Sequence, residues 1–411
     1  MQRRTTVVAL IGNAVVGQSG GPTAVINRSL AGVIDEGLRR CEIRAVYGGV
    51  HGVLGMLREE FVDLGRQDPA VLRGLRHTPS AALGSCRHKI TPDECGRLVE
   101  IFRRYGIRYY FYIGGNDSAD TSSKVSRAAR AAGYDLRVIA VPKTIDNDLA
   151  VTDHSPGYGS VARWLAVSVR DAGLDTEAIG VVDTVKIIEV MGRNAGWITA
   201  ATALARDRED AAPHLIYLPE RPFDEERFLA DVKAVYDRLG HVVITVCEGL
   251  KDECGAYMTA SSRAIDTDRF GHRQLGGVGD YLCGLVAGGL GMKARYDKPG
   301  TIQRVSAALA SQVDLEEAYQ VGVHAVQCAV SGISDKMVMI QRQPGPDYAV
   351  EMGTVDLEAV ANAEKLVPPE FINEEGNDVT QAFLDYARPL IGGPLPPYAR
   401  LERIRVVGGE Q

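Results

Sequence analysis

Pro142 to Asp148 reads P-K-T-I-D-N-D, which places a lysine, a threonine, an amide and two carboxylates directly after the apolar run VIAV. Asp146 and Asp148 are two apart, so in extended chain they face one side. Carboxylates that close are unfavourable unless a metal ion, a proton or a cation separates them. Lys143 and Thr144 add a cation and a hydroxyl. Such a set suits Mg2+ held by carboxylate oxygens and proton removal by a general base. The plainer alternative is an Asx-rich turn that satisfies its own hydrogen bonds.

Other turns carry related groups. S-G-G-P-T (Ser19 to Thr23) pairs glycines, which let backbone N–H groups approach an anion, and a following helix N-terminus would favour negative charge. No G-K-[ST] follows, so it is not a P-loop. L-G-S-C-R-H-K offers Arg87 and Lys89 to a phosphate, or is a solvated basic loop. In I-G-G-N-D-S, Gly115 precedes Asn116 and Asp117, and either of the last two would also serve as a helix cap. E-V-M-G-R-N-A-G-W contains Met191, Gly192 and Arg193, C-E-G contains Glu248, and T-I-Q-R runs from Thr301 to Arg304 with Arg295 upstream. Carboxylates, glycines and arginines at successive turns are the parts of a phosphoryl-transfer site.

These turns follow short apolar runs: VVALIGNAVVG, IRAVYGG, IRYYFYIGG, LRVIAVP, VKIIEVMG, HLIYLP, HVVITVCEG and MVMIQR. Between them lie helical periodicities, among them Asp93 to Tyr105, Ser160 to Ala172, Glu225 to Leu239 and Leu315 to Val330. The alternation predicts a mostly parallel sheet covered on both faces, with ligands beyond the carboxyl ends of the strands. Lys251 to Leu275 reads as an irregular insertion. The tail from Pro368 is rich in proline and glycine, with a helix expected near Thr380 to Tyr386. No internal repeat or low-complexity segment stands out.

The 411 residues are 45% hydrophobic and 24% charged, ordinary for a globular protein of two or three domain-sized units. The 45 glycines fit many tight strand-to-helix turns. A net charge of −7 argues against a nucleic-acid partner, which needs a basic face. Seven cysteines with no C-x-x-C pair suit scattered reduced thiols in the cytoplasm. No apolar run reaches membrane-spanning length. The start, MQRRTTVVALIGNAVVG, superficially resembles a signal peptide, but it runs into S-G-G-P and reads better as a first strand.

In this order and spacing, S-G-G-P-T, G-G-N-D-S, P-K-T-I-D-N-D, E-V-M-G-R and T-I-Q-R resemble the phosphofructokinase family, over about Val7 to Arg342. The resemblance implies two intertwined three-layer α/β domains with mostly parallel sheets and the active site in the cleft between them. Residues 1–157 with about 303–365 would bind the phosphoryl donor and 158–302 the sugar phosphate. Residues 366–411 would be a C-terminal extension packing on the core. Asp146 resembles the base that takes the proton from the sugar 1-hydroxyl, with Lys143, Thr144 and Arg193 completing the catalytic set. Thr144, Asp148, Met191, Gly192, Arg193, Glu248 and Thr301 fall on the sugar-phosphate side. Arg295 and Arg304 match the family's 6-phosphate arginines. The first of these comes from a neighbouring subunit, which implies a homodimer or homotetramer. Gly21, Arg87, Gly115, Asp117 and Lys143 fall on the donor side, and Asp117 and Asp148 on the metal, Mg2+.

ATP-type members typically read G-G-D-G-S and P-G-T-I-D-N-D. Here Asp117 and Lys143 replace glycines, and the pair resembles the pyrophosphate-dependent branch. The carboxylate crowds the place of a nucleotide's α-phosphate, and the ammonium favours a small, highly charged anion. The expected reaction is reversible transfer from pyrophosphate to fructose 6-phosphate, as in glycolysis. Three departures bear on this. Asn116 stands where ATP-type members have a metal-associated Asp, Thr301 where many have a histidine, and Thr184 where many have an arginine that Lys186 would have to replace. The alternatives are an ATP-dependent kinase, the same chemistry on another sugar phosphate such as sedoheptulose 7-phosphate, and a ligand-sensing paralogue.

Overall fold

The computed structural model describes residues 10–258, 277–361, 363–402, 404 and 406. Their strands are β1 (Gly12–Gln18), β2 (Ile43–Gly49), β3 (Phe61–Asp63), β4 (Ile107–Gly114), β5 (Arg137–Pro142), β6 (Val185–Val190), β7 (Leu215–Tyr217), β8 (Val242–Cys247), β9 (Ala294–Asp297), β10 (Lys336–Arg342) and β11 (Val350–Asp356). One sheet has the order β11-β10-β5-β4-β1-β2-β3, and the other β7-β8-β6-β9. The second is parallel throughout; the first is parallel except for its edge strands β3 and β11.

A strand covered on both faces must be apolar on both, and β4 shows why its run is continuous. Tyr110 and Tyr112 enter the cluster on one face, with Phe102 and Leu98 of the helix Pro92–Arg104. Tyr109, Phe111 and Ile113 enter the cluster on the other, with Ile26 and Leu30 of the helix Ile26–Arg39. In the second sheet, Val185 and Ile187 of β6 face one cluster and Ile188 and Val190 the opposite one. The fold is therefore α/β with mostly parallel sheets.

The helix Glu225–Leu239 lies where its periodicity predicts, because its ends carry local signals. Asp224 accepts from the N–H of Arg227, and Gly240 takes a left-handed turn. The helix Tyr158–Ile179 is longer than Ser160 to Ala172. Its first turn is closed by Asp314, which accepts from the N–H groups of Gly157 (2.8 Å) and Ser160 (2.9 Å). A cap supplied from so far along the chain leaves no local pattern. The edge strands β3, β9 and β11 escaped the sequence reading because partly exposed edges need no apolar run. Of the expected insertion, the described part up to Met258 contains an isolated Lys251–Tyr257 bridge, and the rest lies outside the described residues. The helix Gln381–Ala387 buries Phe383 against the second sheet's core. Among the described residues, no helix is long and apolar enough to cross a membrane.

Next to β10, whose Ile340 carbonyl accepts from the N–H of Asp153, buried His154 sits between the carboxylates of Asp153 (2.8 Å) and Glu317 (2.6 Å). Burial opposes its charge, but the two hydrogen-bonded carboxylates outweigh that and raise its pKa. A raised folded-state pKa contributes stability that is complete below the unfolded value of about 6.5 and is lost as pH rises through the folded value. Losing one member of a buried ion pair costs about 3–5 kcal/mol. His154→Gln is expected to lower Tm most near pH 6, with the gap to the parent protein closing as pH rises. A gap that stays constant across that range would show that His154 is neutral in the folded protein.

Candidate active site

The carboxyl ends of β1, β4, β5, β6 and β8 converge on a cleft of about 510 Å³ lined from both sheets. β1 leads to Gly20 and Gly21, β4 to Gly115, Asn116 and Asp117, and β5 to Lys143, Thr144, Asp146 and Asp148. From the second sheet come Met191, Gly192, Arg193, Asn194 and Ala195 after β6 and Glu248 after β8. Arg87 and Lys89 reach in from their loop.

The turn after β5 is not extended, as the spacing argument supposed. Asn147 has φ +55°, and the N–H of Asp146 is tied to Thr144 Oγ1 at 3.1 Å. Asp146 and Asp148 both reach the cleft because the chain twists between them. Lys143 is 3% exposed, and its Nζ donates to the carbonyl of Gly21 at 2.9 Å. Gly20, which leads into that contact, has φ +77°, a conformation that favours glycine.

Burial dominates the electrostatics, although Asp146 and Asp148 keep part of their surface open to the cleft. Burial pushes Lys143 down to about 8, resisted by Asp146 and Asp148 and reinforced by Arg304 and Arg87. Burial raises Asp146, and Glu248 adds to the rise, while Lys143, Arg193 and Arg304 oppose it. Asp148 is pushed up to about 7 by burial and by Asp146. Burial likewise raises Glu248. Nε of Arg193 and of Arg304 are buried without a hydrogen-bond partner, as is Oδ1 of Asn116. Unpaired buried polar atoms of this kind are uncommon and mark places where a ligand is to be expected.

The helix Asn116–Ala131 starts at the cleft. Its N-cap is Gly115, with no side-chain capping bond, so neither Asn116 nor Asp117 is the cap. Its first-turn N–H groups and dipole favour a bound anion. Asn116 Nδ2 stands 3.5 Å from Asp148 Oδ2, at the limit of a hydrogen bond. Among the described residues, no group of three or more His, Cys, Asp or Glu side chains is placed to hold a metal ion.

Three expected residues do not line this cleft. Thr301 is exposed and precedes the short helix Ile302–Val305. Arg295 pairs with Asp183 at 2.8 Å in a separate hollow of about 50 Å³, which Lys186 also lines. Lys186 binds Asp297 at 2.9 Å, and Thr184 donates to the carbonyl of Lys293, so neither replaces an arginine in this cleft. Arg304 is not among the lining residues, but a Cβ on Gly21 would meet its Nη1 at 3.1 Å, which puts it beside the turn after β1. Sequence reading missed Glu364, whose carboxylate accepts from Asn194 Nδ2 at 2.7 Å at the cleft's rim. Glu364 follows β11 in a stretch without a motif, so no local signal marks it.

An α/β protein with arginines, lysines and carboxylates gathered in one cleft at its strand ends is the class that fold and site define. The chain belongs to the phosphofructokinase family, whose model matches residues 13–329. It is 44% identical to the pyrophosphate–fructose 6-phosphate 1-phosphotransferase of Halomonas elongata, over 96% of this chain and 97% of that one. The protein of that name from Xanthomonas campestris pv. campestris is also 44% identical, with the same coverage. Among solved structures, the pyrophosphate-dependent phosphofructokinase of Marinobacter aquaeolei superposes with a TM-score of 0.85 at 40% identity, covering 95% of this chain and 94% of that one.

Gly249 holds Arg193 in place by close approach: a Cβ there would fall 1.7 Å from the Arg193 carbonyl oxygen. Because the obstacle is backbone, Gly249→Ala must displace the Arg193 loop, with a cost of about 1–3 kcal/mol. Thermal melting is expected to show that loss; an unchanged Tm would mean that the loop yields freely.

Proposed function

We propose that this protein catalyses the reversible transfer of a phosphoryl group from pyrophosphate to the 1-hydroxyl of fructose 6-phosphate, giving fructose 1,6-bisphosphate. The observation that carries the donor choice is the buried Lys143 ammonium at Gly21 in the same cleft as Asp117. An ammonium short of water gains most from a small anion of high charge. Asp117 sets a carboxylate where a larger donor would have to pass, which disfavours a nucleotide.

In the proposed reaction Asp146 takes the proton of the 1-hydroxyl. The oxygen attacks the terminal phosphorus in line, the bridging P–O bond breaks, and orthophosphate leaves. Lys143, Arg193 and the N-terminus of the helix Asn116–Ala131 stabilise the spreading charge. The raised pKa of Asp146 brings the carboxylate nearer to the proton affinity a base needs at neutral pH. Thr144, Asp148, Met191, Gly192 and Glu248 would hold the sugar phosphate, and Gly21, Arg87 and Gly115 the donor. The unpartnered Asn116 Oδ1, with the oxygens of Asp117 and Asp148, is a hard donor set that fits Mg2+. Two carboxylates with phosphate oxygens are a common way of holding this ion, so these residues would share it with pyrophosphate. When bound, Mg2+ neutralises charge on the phosphate oxygens.

We read residues 1–157 with about 303–365 as the donor domain, 158–302 as the sugar-phosphate domain and 366–411 as an extension. Arg295, outside its own chain's cleft, would serve a neighbouring copy in a homo-oligomer. The seven free cysteines suit a reducing cytoplasm.

Two measurements test this reading. Asp146→Asn is expected to lower turnover about 10²–10⁴-fold in a protein that still folds; near-normal turnover would remove Asp146 as the base. With fructose 6-phosphate and Mg2+, pyrophosphate and not ATP is expected to support product formation, and the Asp117→Gly, Lys143→Gly double variant to move the preference toward ATP. Equal use of ATP by the parent protein would overturn the donor assignment.

A further inference from the structure

We propose that the segment from Glu364 to Tyr386 is part of the active centre, with Tyr386 as a positioning residue for the turn that carries Asp146 and Asp148. This segment lies beyond the residues that the family model matches. The inference rests on the reading of Asp146 as the base.

Asn147 is fully buried and left-handed, with φ +55°. Asparagine tolerates that conformation better than most residues, but it persists only where the surroundings impose it. Here the side chain is fixed at both ends. The N–H of Ser155 can only donate, so the oxygen at 3.0 Å from it is Oδ1. Nδ2 therefore faces Tyr386 Oη, to which it donates at 2.9 Å. That phenol has one proton, which it donates to the carbonyl of Asp153 at 2.9 Å. Tyr386 thus accepts from the turn and donates to the chain that follows it, and no other arrangement satisfies all three groups. A rotation of Asn147 would move both neighbouring carboxylates, since they are joined to it directly.

The phenol is itself held. The Arg342 guanidinium lies 4.7 Å from the ring centroid, and its Nη1 donates to the Tyr386 carbonyl at 3.0 Å. The ring packs on Trp197 at 5.4 Å and Phe371 at 5.5 Å. The same segment grips the far end of the turn, where the N–H of Lys365 donates to the Asp148 carbonyl at 2.7 Å and Glu364 bridges to Leu149. Burial raises the phenol's pKa, so it stays a neutral donor. Tyr386 does not line the cleft, so its effect on the reaction passes through Asn147.

The test is steady-state kinetics of Tyr386→Phe in the full-length protein, with active sites counted by fructose 6-phosphate binding. Loss of the hydroxyl is expected to lower kcat about tenfold with KM for both substrates within about twofold, because reacting groups are misplaced while binding groups remain. In an Asn147→Ala background the same change is expected to lower kcat less than about twofold, since the shared bond is already gone. Leu390→Ala, in the same core but beyond this segment, is expected to lower Tm and leave kcat unchanged. Parent-level kcat in Tyr386→Phe, full additivity with Asn147→Ala, or an equal loss of kcat in Leu390→Ala would each overturn the proposal. If Tyr386→Phe does not fold, Arg342→Lys, which keeps the hydroxyl but loosens the ring, is expected to lower kcat, and an unchanged kcat would overturn it. Turnover retained in Asp146→Asn would bring down the base assignment and this inference with it. An inactive Asp146→Asn beside a fully active Tyr386→Phe would bring down this inference alone.

Discussion

At the carboxyl end of β5, a buried ammonium lies among two part-buried carboxylates at the foot of the cleft, and its charge would be unfavourable there without them. A buried charge is costly unless opposite charge lies close to it. Lys143 is stabilised by Asp146 and Asp148, and Asp146 by Lys143, Arg193 and Arg304. The balance is incomplete, which is why the lysine is shifted down and the carboxyls up. The residual strain is of the kind that a bound phosphate with its cation would relieve.

Holding such charges requires rigid supports from several directions. Parallel strands supply them, because each ends at the same side of its sheet and each is locked by a core on both faces. The two sheets are also tied together beside the turn. The Trp197 indole donates to the carbonyl of Lys365 at 2.8 Å, and Glu220 accepts from the N–H groups of Gly196 (2.8 Å) and Val367 (3.0 Å). The chain from Glu364 to Val367 therefore touches the turn of the first sheet and the loop after β6 of the second. Movement of one lobe against the other would have to work against this strap.

Interior strands were legible because double burial leaves a continuous apolar run, as in IRYYFYIGG and HVVITVCEG. The part-exposed edge strands β3, β9 and β11 were not, since half-exposed backbone accepts almost any residue, as VEMGTVD of β11 illustrates, whereas the edge strand β7 is buried and was legible in HLIYLP. Helix ends with local caps could be placed, as at Asp224, whereas the start at Tyr158 depends on Asp314, far along the chain. In the cleft, residues inside quoted motifs arrived together: Gly21, Gly115, Asp117, Lys143, Asp146, Asp148, Arg193 and Glu248. Arg295 and Thr301 did not join them, and Glu364 came without any warning in the pattern.

By itself the sequence determined the class of fold, the family and the kinds of group at each strand end, because these depend on short-range chemistry: which residues bury, which turn and which carry charge. Tertiary structure alone decided the twist at Asn147 that brings both carboxylates to the cleft, the burial that shifts Lys143, the place of Arg304 beside Gly21 and the grip of the C-terminal segment on the turn after β5. Each of these depends on atoms brought together from distant parts of the chain. A hydrogen bond such as that between Asn147 and Tyr386 is invisible in one dimension, since neither residue carries a mark of the other.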